Sequence, residues 1–280
     1  MAHLLRRREA LGILGAGAFA LRQARAADAA LRVTALDHVE FLVSDVEKSA
    51  AFYARVFGIS GGNTVLKNNK TTRRYVKLGP SYIAMDRNAQ GAVRVDHFCA
   101  GIPGFQVASV HNYLDGKGIA YRDFPSGKDL AVSDPDGTRL QLATDNGWAQ
   151  LLGGTASPET ISIGGEAIFR PTGIEHILLN VTDPEKSAAF YEKILGPVTQ
   201  RNNNRIWFQV GTGRIGLLKT PAGEKAGVNH YCVAVEKFDY DTVVKKLQQA
   251  GVKLDTPEIA GAPDLRDPDG YRVQVMGPRG

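Results

Sequence analysis

The feature that most constrains this chain is an internal repeat. Residues 43–58, VSDVEKSAAFYARVFG, return as residues 181–196, VTDPEKSAAFYEKILG, with nine identities in the first eleven positions. The two copies are 138 residues apart here and 133 residues apart at a second shared motif, DPDG, which begins at Asp134 and at Asp267. Self-similarity of this kind indicates a structural unit that recurs along the chain. The 280 residues therefore predict two similar domains, each long enough to bury its own core.

A shorter repeat divides each half again. An apolar residue, then Asp, Glu or Asn, then a histidine and β-prone residues recur in LDHVEFLV (36–43), VDHFCAGI (95–102), IEHILLNV (174–181) and VNHYCVAV (228–235). Each segment predicts a strand that leads into a helix, and the helices are expected at 45–57, about 105–116, 183–195 and about 239–250. Shorter strands follow each helix. The chain is thus predicted to be an α+β protein of four βαβββ modules paired into two domains.

Local signals mark the ends of the first and third helices. Capping boxes, Ser44 with Glu47 and Thr182 with Glu185, predict where these helices begin. Gly58 and Gly196 predict where they end. The DPDG motifs predict tight turns, because proline presets the bend and glycine accepts a positive φ.

Residues 1–26 predict a cleaved export signal. Three arginines at 6–8 precede an apolar run at 10–21, and residues 24–26 fit an A-x-A cleavage site. The apolar run is shorter than the roughly 20 residues that cross a bilayer. The arginines resemble a twin-arginine signal, although Ala10 stands where an aromatic residue is usual, so a periplasmic location is predicted. Without this leader the net charge falls from +5 to +1, which offers no electrostatic basis for binding nucleic acid.

The modules, the first-strand histidines and the DPDG hairpins make residues 34–145 and 172–278 resemble the vicinal oxygen chelate superfamily. That superfamily includes glyoxalase I, extradiol dioxygenases and bleomycin-resistance proteins. The resemblance implies that each domain curls its sheet into a half-open barrel. The composition of residues 146–171, rich in Gly, Ser and Thr, predicts a linker between the two domains. The resemblance also implies a divalent metal, Fe, Mn, Zn or Ni, on the concave face. The implied ligands are His38, His97 and Gln141 in the first domain, and His176, His230 and Gln274 in the second.

Both glutamines depart from the pattern of the superfamily, which usually has glutamate at that position. Glutamine keeps an oxygen donor but loses the negative charge, so a bound metal is expected to be held less tightly and to be a stronger Lewis acid. The same change is also what drift after loss of the metal would leave. Replacing Gln141 or Gln274 with glutamate is predicted to tighten metal binding in a working site, and to destabilise an empty one.

Other polar residues share the predicted inner face. Glu40, two residues beyond His38, could supply the missing carboxylate or act as a base, whereas its counterpart Leu178 could not. Cys99 and Cys232 follow the second histidine of each pair in the same way, and buried strand cysteines, metal ligands and reactive thiols all remain open; a disulfide between the two domains is not expected. Arg139 and Arg272 share the glutamines' face and either meet an anionic substrate or lie exposed.

The resemblance predicts an exported, metal-dependent enzyme that acts on a small oxygen-bearing substrate, as an isomerase, a lyase or a dioxygenase. The alternative is a binding protein of the bleomycin-resistance type, which would shelter a small molecule without turnover. In either case the expected partner is a small molecule, with no nucleic acid and no membrane span. The sequence is compatible with an oligomer but does not predict one.

Overall fold

The computed structural model describes residues 31–58, 65–87, 93–202 and 204–279, so the predicted export signal lies outside the described residues. No helix in these ranges is long and apolar enough to cross a membrane. They form two mixed β-sheets, one for each repeat.

The first sheet and its helices come from two modules and a following segment. The first module is β1 Ala35–Val43, α1 Val46–Phe57, β2 Val65–Asn68, β3 Arg74–Leu78 and β4 Ser81–Arg87. The second is β5 Arg94–Ile102, α2 Val107–Gly116, β6 Tyr121–Asp123, β7 Leu130–Ser133 and β8 Arg139–Thr144. The segment after them contains α3 Gly147–Gln150, a π-helical turn Leu151–Thr155 and β9 Ala156–Glu159.

The second sheet repeats this plan with one simplification. The third module is β10 Pro171–Val181, α4 Pro184–Leu195, β11 Gln200–Asn202, β12 Arg205–Val210 and β13 Gly213–Lys219. The fourth is β14 Gly227–Val235, α5 Tyr240–Gln249, β15 Asp264–Arg266 and β16 Arg272–Met276. An isolated bridge between Leu254 and Leu265 stands where the second module has β6. The strand order is β6-β7-β8-β5-β1-β4-β3-β2-β9 in the first sheet and β11-β12-β13-β10-β14-β16-β15 in the second. The predicted α+β fold of paired βαβββ units is confirmed.

Strand alternation separates an apolar face from a polar face in each sheet. On β8, Leu140 and Leu142 are fully buried in the hydrophobic core, and Gln141 between them points to the other face. The first strands of paired modules lie side by side in the middle of each sheet, where β1 runs antiparallel to β5 and β10 to β14. This pairing places two histidine-bearing strands next to each other in both domains.

The capping residues of α1 and α4 differ from those predicted. Asp45 caps α1 by accepting from the Lys48 backbone amide at 3.0 Å, and Asp183 caps α4 by accepting from the amides of Glu185 and Lys186 at 3.1 Å. An aspartate carboxylate one residue nearer to the helix competes successfully with the hydroxyl of Ser44 or Thr182. Both hydroxyls are instead used between the domains.

The two DPDG turns dock each domain onto the other. In the first turn Asp134 accepts from Tyr191 at 3.0 Å, and in the second Asp267 accepts from Tyr53 at 2.7 Å. Ser44 donates to Asp269 at 2.5 Å through its hydroxyl, and Thr182 makes the equivalent contacts to Asp136. One hydrophobic core cluster also spans both domains. The two domains therefore share the same internal plan, and each makes the same contacts to the other through equivalent residues.

Candidate metal centre

The predicted ligands of the first domain meet on the inner face of β1 and β5. His38 Nε2 lies 3.3 Å from His97 Nε2, and Glu40 Oε2 lies 3.8 Å from the same His97 atom. Glu40 is the direct cross-strand partner of His97, so the strand register itself brings this carboxylate to the imidazole. One ligand atom from each of His38, Glu40 and His97 lies within 4.8 Å of the others, and all three are 5–6% exposed. Two histidines and one carboxylate are a donor set typical of Fe(II) and related divalent ions.

Gln141 adds a neutral oxygen beside this cluster. It stands on β8 next to Cys99 of β5, and it lines the same cavity as His38, Glu40 and His97. Its Nε2 donates to Asp129 Oδ2 at 2.5 Å, which fixes the amide orientation. Its Oε1 is buried and has no hydrogen-bond partner. Because a buried polar atom without a partner is costly, this oxygen is suited to a ligand that the protein itself does not provide.

An aspartate binds the Nδ1 atom of each imidazole, on the side away from the cluster. Asp37 lies 2.8 Å from His38 Nδ1, and Asp96 lies 2.9 Å from His97 Nδ1. Burial raises the pKa of Asp96, but the hydrogen bond with His97 and the charge of Arg139 outweigh this and lower it to about 2. An ionised carboxylate at Nδ1 favours the tautomer that leaves Nε2 free to bind a metal. Both Nε2 atoms therefore face the cluster.

The cluster opens onto two adjoining cavities of about 420 Å³ each. Tyr82 stacks on the His38 ring, with ring centroids 4.5 Å apart and planes 21° apart. Tyr75 and Phe124 line one of the cavities and add apolar surface. Arg73 reaches into it and binds Glu40 at 2.7 Å and Asp86 at 3.0 Å. The volume and mixed lining suit a small molecule with both apolar and oxygen-bearing parts.

The equivalent residues of the second domain lie together but are closed off. His176 Nε2 is 2.9 Å from His230 Nε2, and Gln274 Nε2 donates to Asp264 Oδ1 at 3.2 Å. Gln274 is fully buried, and the two histidines are 1% and 2% exposed. The position of Glu40 is occupied by Leu178, which pairs across the strands with His230. Within the described residues, this histidine pair therefore lacks the cross-strand carboxylate that Glu40 supplies in the first domain, and Glu175, which lies within 4.8 Å of ligand atoms of His176 and Cys232, is bound to His176 Nδ1.

Arginines lie close to the second histidine pair. Arg272 contacts His230 Nδ1 at 2.7 Å and also binds Asn229 and Glu258. Glu258 binds a second arginine, Arg205. Burial lowers the pKa of His230 well below its ordinary value, and the charges of His176 and Arg272 add to this. The arginine at His230 Nδ1 disfavours a positive charge on or beside this imidazole, whereas the aspartates of the first domain favour one.

Sequence and structure comparisons agree on the fold. Residues 173–275 match the family described as Glyoxalase/Bleomycin resistance protein/Dioxygenase superfamily. A lactoylglutathione lyase of Schizosaccharomyces pombe is 23% identical over 305 aligned positions, which cover 86% of this chain and 95% of that protein. The 2,3-dioxygenase LapB from Pseudomonas sp. KL28 superposes with a TM-score of 0.66 at 16% identity, covering 90% of this chain and 94% of that one. The chain has the vicinal oxygen chelate fold.

A second solved structure with this fold contains a metal. It is the Mn(II)-bound glyoxalase from Novosphingobium aromaticivorans, which superposes with a TM-score of 0.63 at 17% identity and covers 88% of this chain and 82% of its own. By their names, these three relatives are a lyase, a dioxygenase and a glyoxalase. The two solved structures agree with the fold predicted from the repeats.

The structure brings the two histidines of each domain together and places each glutamine on the neighbouring strand, beside the cysteine that follows the second histidine. It also adds partners that the sequence did not identify. Cys99 and Cys232 are free and buried, and burial raises the pKa of both thiols. Arg139 and Arg272 bind acidic groups behind the histidines. The missed residues are the acceptors of the glutamine amides, Asp129 and Asp264, and the carboxylates before the histidines, Asp37, Asp96 and Glu175. The second group had a signal, because an acidic or amide residue precedes every one of the four strand histidines.

Proposed function

We propose that the first domain binds one divalent metal ion through His38, His97 and Glu40, with Gln141 Oε1 as a further oxygen donor. The observation that carries the proposal is Glu40, which places a carboxylate beside the two imidazoles although the usual glutamate is absent from β8. The partnerless oxygen of Gln141, which lines the same cavity, also supports it. Mn(II) and Fe(II) match this nitrogen and oxygen donor set.

The protein is then a metal-dependent enzyme of the lyase, isomerase or dioxygenase type that acts on a small oxygen-bearing substrate. A bound divalent ion would supply Lewis acidity toward a substrate oxygen. The three relatives support the enzyme assignment, since they are a lyase, a dioxygenase and a glyoxalase.

The charges that line the cavities indicate which substrates fit. Four carboxylates and three basic side chains line them: Asp37, Glu40, Asp96, Asp129, Arg73, Lys128 and Arg139. With neutral histidines their sum is one negative charge, which a divalent ion converts to one positive charge. A substrate that carries one negative charge is therefore electrostatically matched to the loaded site. Tyr82 and Phe124 offer ring surface to its apolar part.

The proposal assigns one metal to the chain, not two. In the second domain the carboxylate is replaced by Leu178, and Arg272 places its positive charge against His230. Metal content of the purified full chain, after incubation with Mn(II) or Fe(II) and removal of free ion, is expected to be about one equivalent. A chain that retains no ion would contradict the enzyme proposal and favour the binding-protein alternative. Two equivalents would contradict the assignment to the first domain.

We also propose that the protein acts outside the cytoplasm. The basic, apolar and A-x-A segments of residues 1–26 support this. N-terminal sequencing of protein recovered from the periplasm of an expressing cell is expected to begin after Ala26. Full-length protein confined to the cytoplasm would contradict it.

A further inference from the structure

One segment of the chain lines both cavities of the first domain. Residues 147–155, which we name the lid, follow β8 and contribute Leu151, Gly153, Gly154 and Thr155 to the cavity walls. Trp148 packs against Tyr82 at 5.9 Å between ring centroids, and Tyr82 stacks on His38. The far end of the lid is held by the bond from Asn69 N to Thr155 O at 3.0 Å and by the pairing of β9 with β2.

The near end of the lid is bound to the same carboxylate that holds His38. Asp37 Oδ1 lies 2.8 Å from His38 Nδ1, and Asp37 Oδ2 accepts from the Gly147 backbone amide at 3.1 Å. Asp37 is 3% exposed, so neither bond competes with bulk water. A single buried side chain thus touches the first residue of the lid and an imidazole of the candidate metal centre.

The closeness of this contact requires glycine at position 147. A Cβ built on Gly147 would lie 2.4 Å from Asp37 Oδ1 and 3.0 Å from its Cγ. Its φ is not positive, so the backbone itself does not demand glycine there. The glycine is therefore explained by the approach of the lid to Asp37.

We infer that Asp37 is a positioning residue that couples the lid to His38, so that the ion at His38 and the placement of the lid over the substrate cavity influence each other. This inference rests on the proposed metal site. When Asp37 holds the His38 imidazole for metal binding, it also holds Gly147 and keeps Leu151 and Thr155 at the cavity. Movement of the lid away from the cavity would break the Gly147–Asp37 hydrogen bond and would disturb the carboxylate that holds His38. Coupling of this kind is reciprocal by thermodynamic necessity.

The second domain has the carboxylate but not the coupling. Glu175, the counterpart of Asp37, binds His176, but its other oxygen is used by Arg279 and lies 3.5 Å from Arg214. These partners are side chains and not the first residue of a segment that covers a cavity. The connection between a histidine-holding carboxylate and a covering segment is thus specific to the domain that carries Glu40.

The first test substitutes glycines of the lid that touch no proposed ligand. Gly147→Ala places a methyl group against Asp37 and is expected to weaken Mn(II) binding by the full chain about tenfold, the lower end of the usual effect of disturbing a ligand's supporting carboxylate. Gly153→Ala is the matched control, because nothing lies within 4 Å of its Cβ and its φ is not positive. Free Mn(II) is measured by electron paramagnetic resonance, and circular dichroism verifies that both variants fold.

The second test measures the coupling from the other side. In the wild-type chain, saturating Mn(II) is expected to slow amide hydrogen exchange across residues 147–155 several-fold, and Asp37→Ala is expected to abolish that change. A wild-type chain that binds no Mn(II) contradicts the proposed function itself. A chain that binds Mn(II) with lid exchange unchanged, or with equal affinity in Gly147→Ala and Gly153→Ala, overturns the coupling and leaves the metal site intact.

Discussion

Glu40→Gln is expected to lower the affinity of the full chain for Mn(II) on the order of 100-fold, which corresponds to about 2.8 kcal/mol. Glu40 is the carboxylate of the cluster, with Oε2 3.8 Å from His97 Nε2 and a residue exposure of 5%. Glutamine has nearly the same shape, so the change removes charge and leaves packing almost unaltered. A unit charge within a few ångströms of a divalent ion is worth several kcal/mol at the effective dielectric of a protein, so the loss is large.

The control for this substitution is Asp86→Asn. Arg73 binds both Glu40 and Asp86, at 2.7 and 3.0 Å, so either substitution takes one acidic partner from the same guanidinium. Asp86 does not belong to the His38, Glu40 and His97 cluster, so Asp86→Asn is expected to leave Mn(II) affinity within about twofold of wild type. Isothermal titration of both variants and wild type gives the comparison. Equal affinities of Glu40→Gln and wild type would remove Glu40 from the ligand set.

The fold could be predicted because its signals are local and repeated. Four copies of a strand motif and two copies of a helix motif fix the order of elements. The four helices that were predicted lie within about two residues of their expected bounds. The predicted caps were wrong for two reasons. An aspartate, Asp45 or Asp183, stands one residue nearer to each helix and caps it instead. The Ser44 and Thr182 hydroxyls are bound by the turn of the opposite domain, 225 and 46 residues away, and local rules cannot identify a partner at that distance.

The site could be predicted only in part, because the strand register decides which side chains meet across neighbouring strands. Alternation placed Glu40 on the same face as His38, but the sequence could not tell whether the carboxylate faces the metal or the solvent. The β1–β5 register sets Glu40 opposite His97, and this pairing is a property of two strands more than fifty residues apart. The roles of Asp129 and of the lid also depend on contacts across the sheet and were beyond the reach of periodicity.

Restoring glutamate is expected to have different effects in the two domains, because only the first domain has a carboxylate, Glu40, paired across the strands with its second histidine. Gln274→Glu is expected to reduce the free energy of unfolding by about 3 kcal/mol, because a fully buried carboxylate would replace the amide that donates to Asp264. Arg272 and Arg205 are already bound to Glu258, so neither is free to neutralise the new carboxylate. Because this domain offers no carboxylate at the Leu178 position and has arginine at His230, added Mn(II) is not expected to restore the loss.

Gln141→Glu is the same chemical change at the repeat-equivalent position, and the opposite response to metal is expected there. Without metal the new carboxylate faces Asp129 and destabilises the domain. With metal it becomes a second charged ligand beside Glu40, so Mn(II) affinity should rise about tenfold and stability should recover by linkage. Urea unfolding of both variants with and without saturating Mn(II) separates the two domains. Recovery of Gln274→Glu on adding Mn(II) would show that the second domain also binds the ion, and failure of Gln141→Glu to recover would mean that its oxygen does not face a metal.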